Sequence, residues 1–455
     1  MSSELAKKTA VNLFFGVFIQ AVIALFFDAG GIISGTIASF LMDTKRVKWI
    51  VLVYGPLLAA RGDISVLVGK LGTGLHLGTV RPTLNPRKNT SAYKSMFAAV
   101  MTIALFDAVL VGIITYVMNL ISFAQGVKIL NPTLFMVIPV LVLALTAILS
   151  TQITAAVSFF TYKRGLNPDV YVCPVMSTVN NILITLIFAG VLNILTPWGE
   201  LTTVEGVGEV YAVPTTQELV PTYIGIIPAV LSLGAVIYLV IKNLGEEEFR
   251  KIMKEAIPAV FASASIGTIT GFTLSKAEPA LEQYPQLLVA FPALIGTLVD
   301  QCSITANILI TDFSAGYIEP SVKSFKETKV WTTYLGMAAG GIVITIVLGF
   351  IGTLIKISSV GFTWVILLVM VVTILANAIG YVLVGALIFV LTIIAFRKEM
   401  DPDNFAIPIA ACLADLVCAG LILVFSILLL GVHLGGGHEE TAQLLGNSFF
   451  ENLVL

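Results

Sequence analysis

Charge is what this chain has least of. Lys, Arg, Asp and Glu together make up 11% of its 455 residues, whereas 57% are hydrophobic. Soluble domains carry roughly a quarter of their residues as charged side chains, so a soluble globular fold is excluded. A net charge of -2, with no basic, aromatic-interleaved patch, leaves no basis for a nucleic-acid partner. Cysteine is equally sparse. Cys173, Cys302, Cys412 and Cys418 all fall in apolar stretches without a C-x-x-C pair, which argues against a disulfide framework or a thiolate metal site and leaves them as small buried hydrophobes. His76 stands alone in its apolar stretch and reads as a satisfied polar group rather than a ligand.

What is present is a succession of apolar runs too long for barrel strands, so the expected fold is all-α and polytopic, with the lipid bilayer as its solvent. Eleven spans are expected, near residues 11–36, 48–79, 93–120, 133–160, 170–195, 219–242, 256–275, 286–312, 330–356, 361–395 and 404–434. The second and tenth exceed a straight crossing and are expected to tilt or break. The first is too long for a cleaved signal and is expected to stay as a span. With the N-terminus inside and the C-terminus outside, seventeen of the 25 Lys and Arg residues fall on the cytoplasmic side, the bias that cytoplasmic loops carry.

The chain repeats itself. Asn167-Pro168-Asp169, Pro174 and Asn181 recur as Asp401-Pro402-Asp403, Pro408 and Asp415 at an offset of 234 residues. Pro56, Asp63 and Pro82 recur as Pro292, Asp300 and Pro320, and the match fades toward each repeat's first helix. The expected organisation is a first five-helix repeat over 1–198, an acidic external loop with a connecting transmembrane helix over 199–244, and a second repeat over 245–455. The odd connector makes the two copies parallel, which puts a path for solute between them. Glu200, Glu205, Glu209 and Glu218 in the external loop have no basic neighbour and are placed to attract cations, or simply form a solvated loop. Residues 245–257 read as an amphipathic interfacial helix.

Ionisable groups deep in apolar spans are expensive enough to suggest function. Asp415 lies eleven residues past Asn404, about 16 Å into a core about 30 Å thick. Asp63 and Asp300 reach similar depths, so Asp415, Asp63, Asp300 and Asn181 are expected at one level around a common water-filled axis. Asp107, without a carboxylate counterpart near Gly340 and Gly341, is the fifth candidate, a proton or second-cation position. Asp28 is expected near the external end of the first span. The element around Asp63 and Asp300 is expected to be irregular in both copies, given Gly55-Pro56, Gly62, Pro292 and Gly296. Arg61, two residues from Asp63, is expected to point away from it. Close helix packing is expected at the G-x-x-x-G spacings Gly74 to Gly78, Gly336 to Gly340 and Gly431 to Gly435. Oxygen ligands without Cys or clustered His suit a hard cation, Mg²⁺ above all, held through its hydration shell. No resident cofactor is expected; Mg²⁺ is the cargo.

At these residues the sequence resembles the MgtE magnesium transporters and their two-repeat relatives of solute carrier family 41. Asp401-Pro402-Asp403-Asn404, Pro408 and Asp415-Leu416 look like that family's D-P-D-N, P and D-L signature. Pro56-Leu57-Leu58, Arg61-Gly62-Asp63 and Lys70-Leu71-Gly72-Thr73 are similar to its P-x-L-L, K-G-N and R-L-S-T run. The resemblance implies a cation pore lined by the second and fifth helices of each repeat, with Asp415 as its pore aspartate. Asn181 departs from the pattern, as do Asp63 and Asp300. The expected function is divalent cation transport rather than enzymatic chemistry. Alternatives are Na⁺- or H⁺-coupled exchange, organic solute transport, and an intramembrane aspartyl protease pairing Asp63 with Asp300.

Overall fold

A computed structural model describes residues 2–42, 50–76, 78–85, 87–123, 132–165, 168–195, 200–204, 208–212, 219–276, 284–314, 316–360, 364–398 and 402–430. Among them, eleven helical segments are long and apolar enough to cross a membrane. The first repeat consists of α1 (Ser2–Leu25) and α2 (Gly30–Leu41), joined by a 3-10 turn (Phe26–Ala29), then α3 (Ile50–Ala59) and α4 (Arg61–His76), α5 (Ser91–Phe123), α6 (Pro132–Lys163) and α7 (Pro168–Leu195). The connector is α8 (Leu219–Asn243). The second repeat is α9 (Glu247–Lys276), α10 (Pro285–Ser314), α11 (Thr328–Val360), α12 (Trp364–Arg397) and α13 (Pro402–Leu430). An antiparallel hairpin, Glu200–Val204 paired with Gly208–Ala212, folds within the acidic loop.

The second span is interrupted at one residue, Ala60. Pro56 lies inside α3 and has no N–H for the carbonyl of Leu52; the helix ends at Ala59 and restarts at Arg61. The expected irregularity is therefore found in the first copy. It is not found in the second, where α10 runs unbroken through Pro292, and in the first the helical bonds from Ala60 N to the Pro56 carbonyl at 3.0 Å and from Ile64 N to the Ala60 carbonyl at 3.2 Å continue across the interruption. The 34-residue α12 is also unbroken; at about 1.5 Å per residue it outruns the hydrocarbon core and must tilt or protrude. Residues 247–257 do not form a separate interfacial helix. They are the opening turns of α9, and Phe249 and Ile252 are buried in the cluster that holds Tyr93, Met96 and Val100 of α5.

The two first helices are exchanged. The α1 helix packs along α11 and α2 along α10, whereas α9 packs against α3 and α5 as well as its own α13. Glycine makes this possible. Gly31 and Gly35 of α2 lie against the backbone of Ala293 and Val289, and Gly271 of α9 against that of Leu52, in each case too close for a methyl group, while Gly267 packs tightly on Ala59 and Pro56. Both are G-x-x-x-G pairs, 236 residues apart, so the repeat extends into the first helices where side-chain similarity had faded. Gly271 sits on the Leu52 carbonyl that Pro56 deprives of its helical partner. Gly336 and Gly340 are used as expected, admitting Val17 and Ala21 of α1. The spacing from Gly74 to Gly78 is not a packing seam: Gly78 has φ 72° and, with Gly316 at φ 71°, makes the matching left-handed turns after α4 and α10. The segment from Gly431 to Gly435 lies outside the described residues.

Large apolar side chains such as Ile227, Leu231, Tyr238 and Ile241 on α8 are exposed, forming the lipid-facing flank of the connector. Polar side chains are gathered inside, where α4, α7, α10 and α13 meet the first helices.

A side chain at Gly271 or Gly35 has no space that rotation can create, because the obstacle is backbone. Gly271→Val is expected to destabilise the fold by about 1–3 kcal/mol or more, whereas Gly234→Ala, with nothing within 4 Å, leaves it unchanged. Thermal unfolding in detergent measures both; an unaltered midpoint for Gly271→Val contradicts the exchanged packing.

Candidate functional site

Seven polar side chains form the buried layer between the repeats. Arg61 and Asp63 come from the first turn of α4, just past the break; Asp107 from α5; Asn181 from α7; Asp300 from α10; Asp415 from α13; and Asp28 from the 3-10 turn between α1 and α2. None exceeds 2% exposure, so the layer is closed to water in this conformation.

Arg61 joins the repeat-matched pair. Its Nη2 donates to Asp415 Oδ1 at 2.7 Å and its Nη1 to Asn181 Oδ1 at 3.2 Å. One guanidinium thus ties α4 to the fifth helix of both repeats. A buried ion pair is tolerable only when charges match and remaining polar atoms are satisfied. Aspartate at both matched positions would leave the trio negative; Asn181 keeps it neutral. The Asn181 amide nitrogen also reaches the Pro292 carbonyl at 3.4 Å, and the Asn181 carbonyl accepts from Ser34 at 3.0 Å and Thr185 at 2.7 Å. Tyr54 extends this network through a 2.9 Å hydrogen bond with Thr185.

Two carboxyl pairs flank the guanidinium. Asp63 accepts from Ser263 of α9 at 2.9 Å and neighbours Asp107. Asp300 likewise neighbours Asp28, with the Ser177 and Thr297 hydroxyls nearby, and the Arg61 guanidinium acts on both carboxyls. In each half, therefore, the first helix of one repeat presents a polar side chain to the second-helix aspartate of the other: Asp28 on Asp300, Ser263 on Asp63. The half with serine gains its second carboxyl from Asp107. The position opposite, at Gly341, is filled by Gln301, which donates to the Met337 carbonyl at 3.0 Å and accepts from Asn377 at 2.9 Å.

The arrangement differs from one ring around a wet axis. Asp415 and Asn181 are brought together through Arg61, Asp63 meets Asp107, and Asp300 meets Asp28. Asp63 and Asp300 do not pair with each other, as the protease alternative requires. Arg61 does turn away from Asp63, as the helical spacing implied, but toward Asp415. Asp28 is not at an external end. The first span runs to Leu41 rather than residue 36, which places Asp28 near its middle; the Gly30-Gly31 that follows it was the signal of a close crossing. The side chain of His76 lies outside the described side chains. Cys302, Cys412 and Cys418 are free and buried. Among the described residues no group of three or more His, Cys, Asp or Glu is assembled to hold a metal.

The family model for the divalent cation transporter MgtE matches residues 55–191 and again 291–427. Each match runs from the second helix of a repeat into its fifth. A search of curated proteins and a search of solved structures each returned no match. The two matches together span more than half of the chain, in the same register as the duplicated helices that supply Asp63, Asp300, Asn181 and Asp415, and the protein belongs to the MgtE family of divalent cation transporters.

Proposed function

We propose that the protein moves Mg²⁺ across the cell membrane along the interface between its two parallel repeats, as a transporter and not an enzyme. The observation that carries this reading is the layer of carboxyl, amide and hydroxyl oxygens buried where the repeats meet, with Asp415 at its centre. Such a donor set suits a hard cation. Arg61 is the resident counter-cation of Asp415 in the closed conformation. An entering divalent cation competes with the guanidinium for that carboxylate, and Arg61 returns when the ion leaves. Because a buried charge pair is held together by mutual neutralisation, swapping one cation for another is far less costly than leaving the carboxylate bare. The acidic hairpin at the external end attracts cations toward the path.

Asp415→Asn alone strands the Arg61 charge and is expected to cost about 3–5 kcal/mol of stability as well as flux. The double variant Arg61→Gln with Asp415→Asn removes both charges and is expected to recover stability while Mg²⁺ flux into liposomes stays at background. Wild-type flux in that well-folded double variant rejects the role of Asp415. Dependence of flux on an opposing Na⁺ or H⁺ gradient separates an exchanger from a channel, and organic substrate flux without metal favours the solute-transport alternative.

Orientation is tested separately. With the N-terminus cytoplasmic, single cysteines at Lys163 and Lys251 in a cysteine-free background react with an impermeant thiol reagent only from the cytoplasmic side. Labelling from outside reverses the assigned topology.

A further inference from the structure

Hydroxyls on the outward faces of the spans bond to their own helix. Ser232 donates to the Pro228 carbonyl at 2.8 Å, Ser265 to that of Phe261 at 2.8 Å and Thr273 to that of Ile269 at 2.9 Å. Hydrocarbon offers no partner, so the carbonyl four residues back takes the bond. Gln152 is different. Its side chain is exposed on α6, and among the described residues its amide makes no hydrogen bond. The charged end of α6, at Lys163, is eleven residues further on, which puts Gln152 about 16 Å deep in a core about 30 Å thick.

Gln152 belongs to a one-sided stripe. Leu145, Ile148, Leu149 and Phe160 are exposed on the same face of α6, at the spacing of three and four residues that makes a helix seam. The second repeat supplies the comparison. Its α12 ends at Arg397 as α6 ends at Lys163, 234 residues apart. At that offset the stripe recurs as Ile379, Val382, Leu383 and Ile394, all exposed, with Ala386 in the place of Gln152. The α12 face is apolar along this line and lipid satisfies it. The α6 face has the same form with one amide added at mid-depth.

We propose that the α6 stripe binds a second molecule of this chain, with Gln152 of each molecule hydrogen-bonded to Gln152 of the other across a twofold axis along the membrane normal. Three features select an identical partner. A carboxamide both donates and accepts, so it is complementary to itself. Two molecules inserted in the same orientation hold Gln152 at the same depth, and rotation about the membrane normal preserves that match. The resulting α6 pair is parallel, and in a parallel seam a single polar residue among apolar ones fixes register and partner number. Gln20 on α1 is also exposed, but Val11, Leu13, Phe15 and Ile19 are exposed on several sides of that helix, so it has no seam. The assembly is a dimer of two-repeat chains, joined away from the layer that holds Arg61 and Asp415.

Energy transfer between full-length chains carrying donor or acceptor dyes at the N-terminus, in vesicles over a series of protein-to-lipid ratios, measures the association. The wild type is expected to dimerise. Gln152→Leu is expected to weaken the dimer about threefold to thirtyfold, whereas Gln20→Leu and Ala386→Leu leave it unchanged. Because Gln152 is on the outer surface, its leucine variant is expected to keep the wild-type thermal midpoint in detergent, which separates lost association from lost folding. In a cysteine-free background, Leu149→Cys is expected to form a disulfide between molecules and Leu383→Cys is not. A monomeric wild type at every ratio, a dimer unaffected by Gln152→Leu, a dimer lost with Gln20→Leu instead, or cross-linking through Leu383→Cys in place of Leu149→Cys overturns the proposal.

Discussion

A guanidinium in the middle of a membrane has to be matched by negative charge, and the centre of this protein is organised by how Arg61 is matched. An arginine at the centre of a transmembrane helix costs at least about 2.5–3.5 kcal/mol on insertion scales. Here the cost is offset by Asp415 and by the amide of Asn181, one from the fifth helix of each repeat. Arg61 opens α4, just after the interruption at Ala60, and its side chain reaches across to α7 and α13. Asp63, two residues later, then faces α5 and α9. A single helical turn thus serves the ion pair on one side and a carboxyl pair on the other.

The second organising feature is the exchange of the first helices. Backbone-to-backbone approach at Gly31 and Gly35, and again at Gly267 and Gly271, fixes each first helix on the second helix of the opposite repeat. Asp28 lies three residues before Gly31 and Ser263 four before Gly267, so the glycine seams set which polar group meets Asp300 and which meets Asp63. Packing and site are consequently one device. Separating the repeats dismantles the Asp28–Asp300 pair and the hydrogen bond from Ser263 to Asp63.

Much of this architecture was legible in the sequence for physical reasons. Hydrocarbon demands long apolar helices, so the eleven spans and the all-α class follow from composition, and the Asn-Pro-Asp and Asp-Pro-Asp copies exposed the duplication. What was hidden depends on partners distant in the chain. Nothing local to Arg61 says that its counter-charge is 354 residues away, and the seventh polar member, Asp28, was displaced by a span boundary drawn five residues short. Pro292 and Pro56 look alike in sequence, yet only the first copy breaks, so proline alone did not decide the outcome. The G-x-x-x-G pairs in the first helices escaped notice because the spacing, and not the surrounding side chains, is what the two repeats share.

The central claim is that Mg²⁺ and Arg61 alternate as the partner of Asp415. An experimental structure of the protein in lipid at saturating Mg²⁺ addresses it directly: the account predicts the Arg61 guanidinium withdrawn from Asp415, with the carboxylate facing a hydrated path or an ion. An Arg61–Asp415 contact unchanged from that in the closed layer, while Mg²⁺ occupies a continuous path elsewhere through the protein, would contradict it.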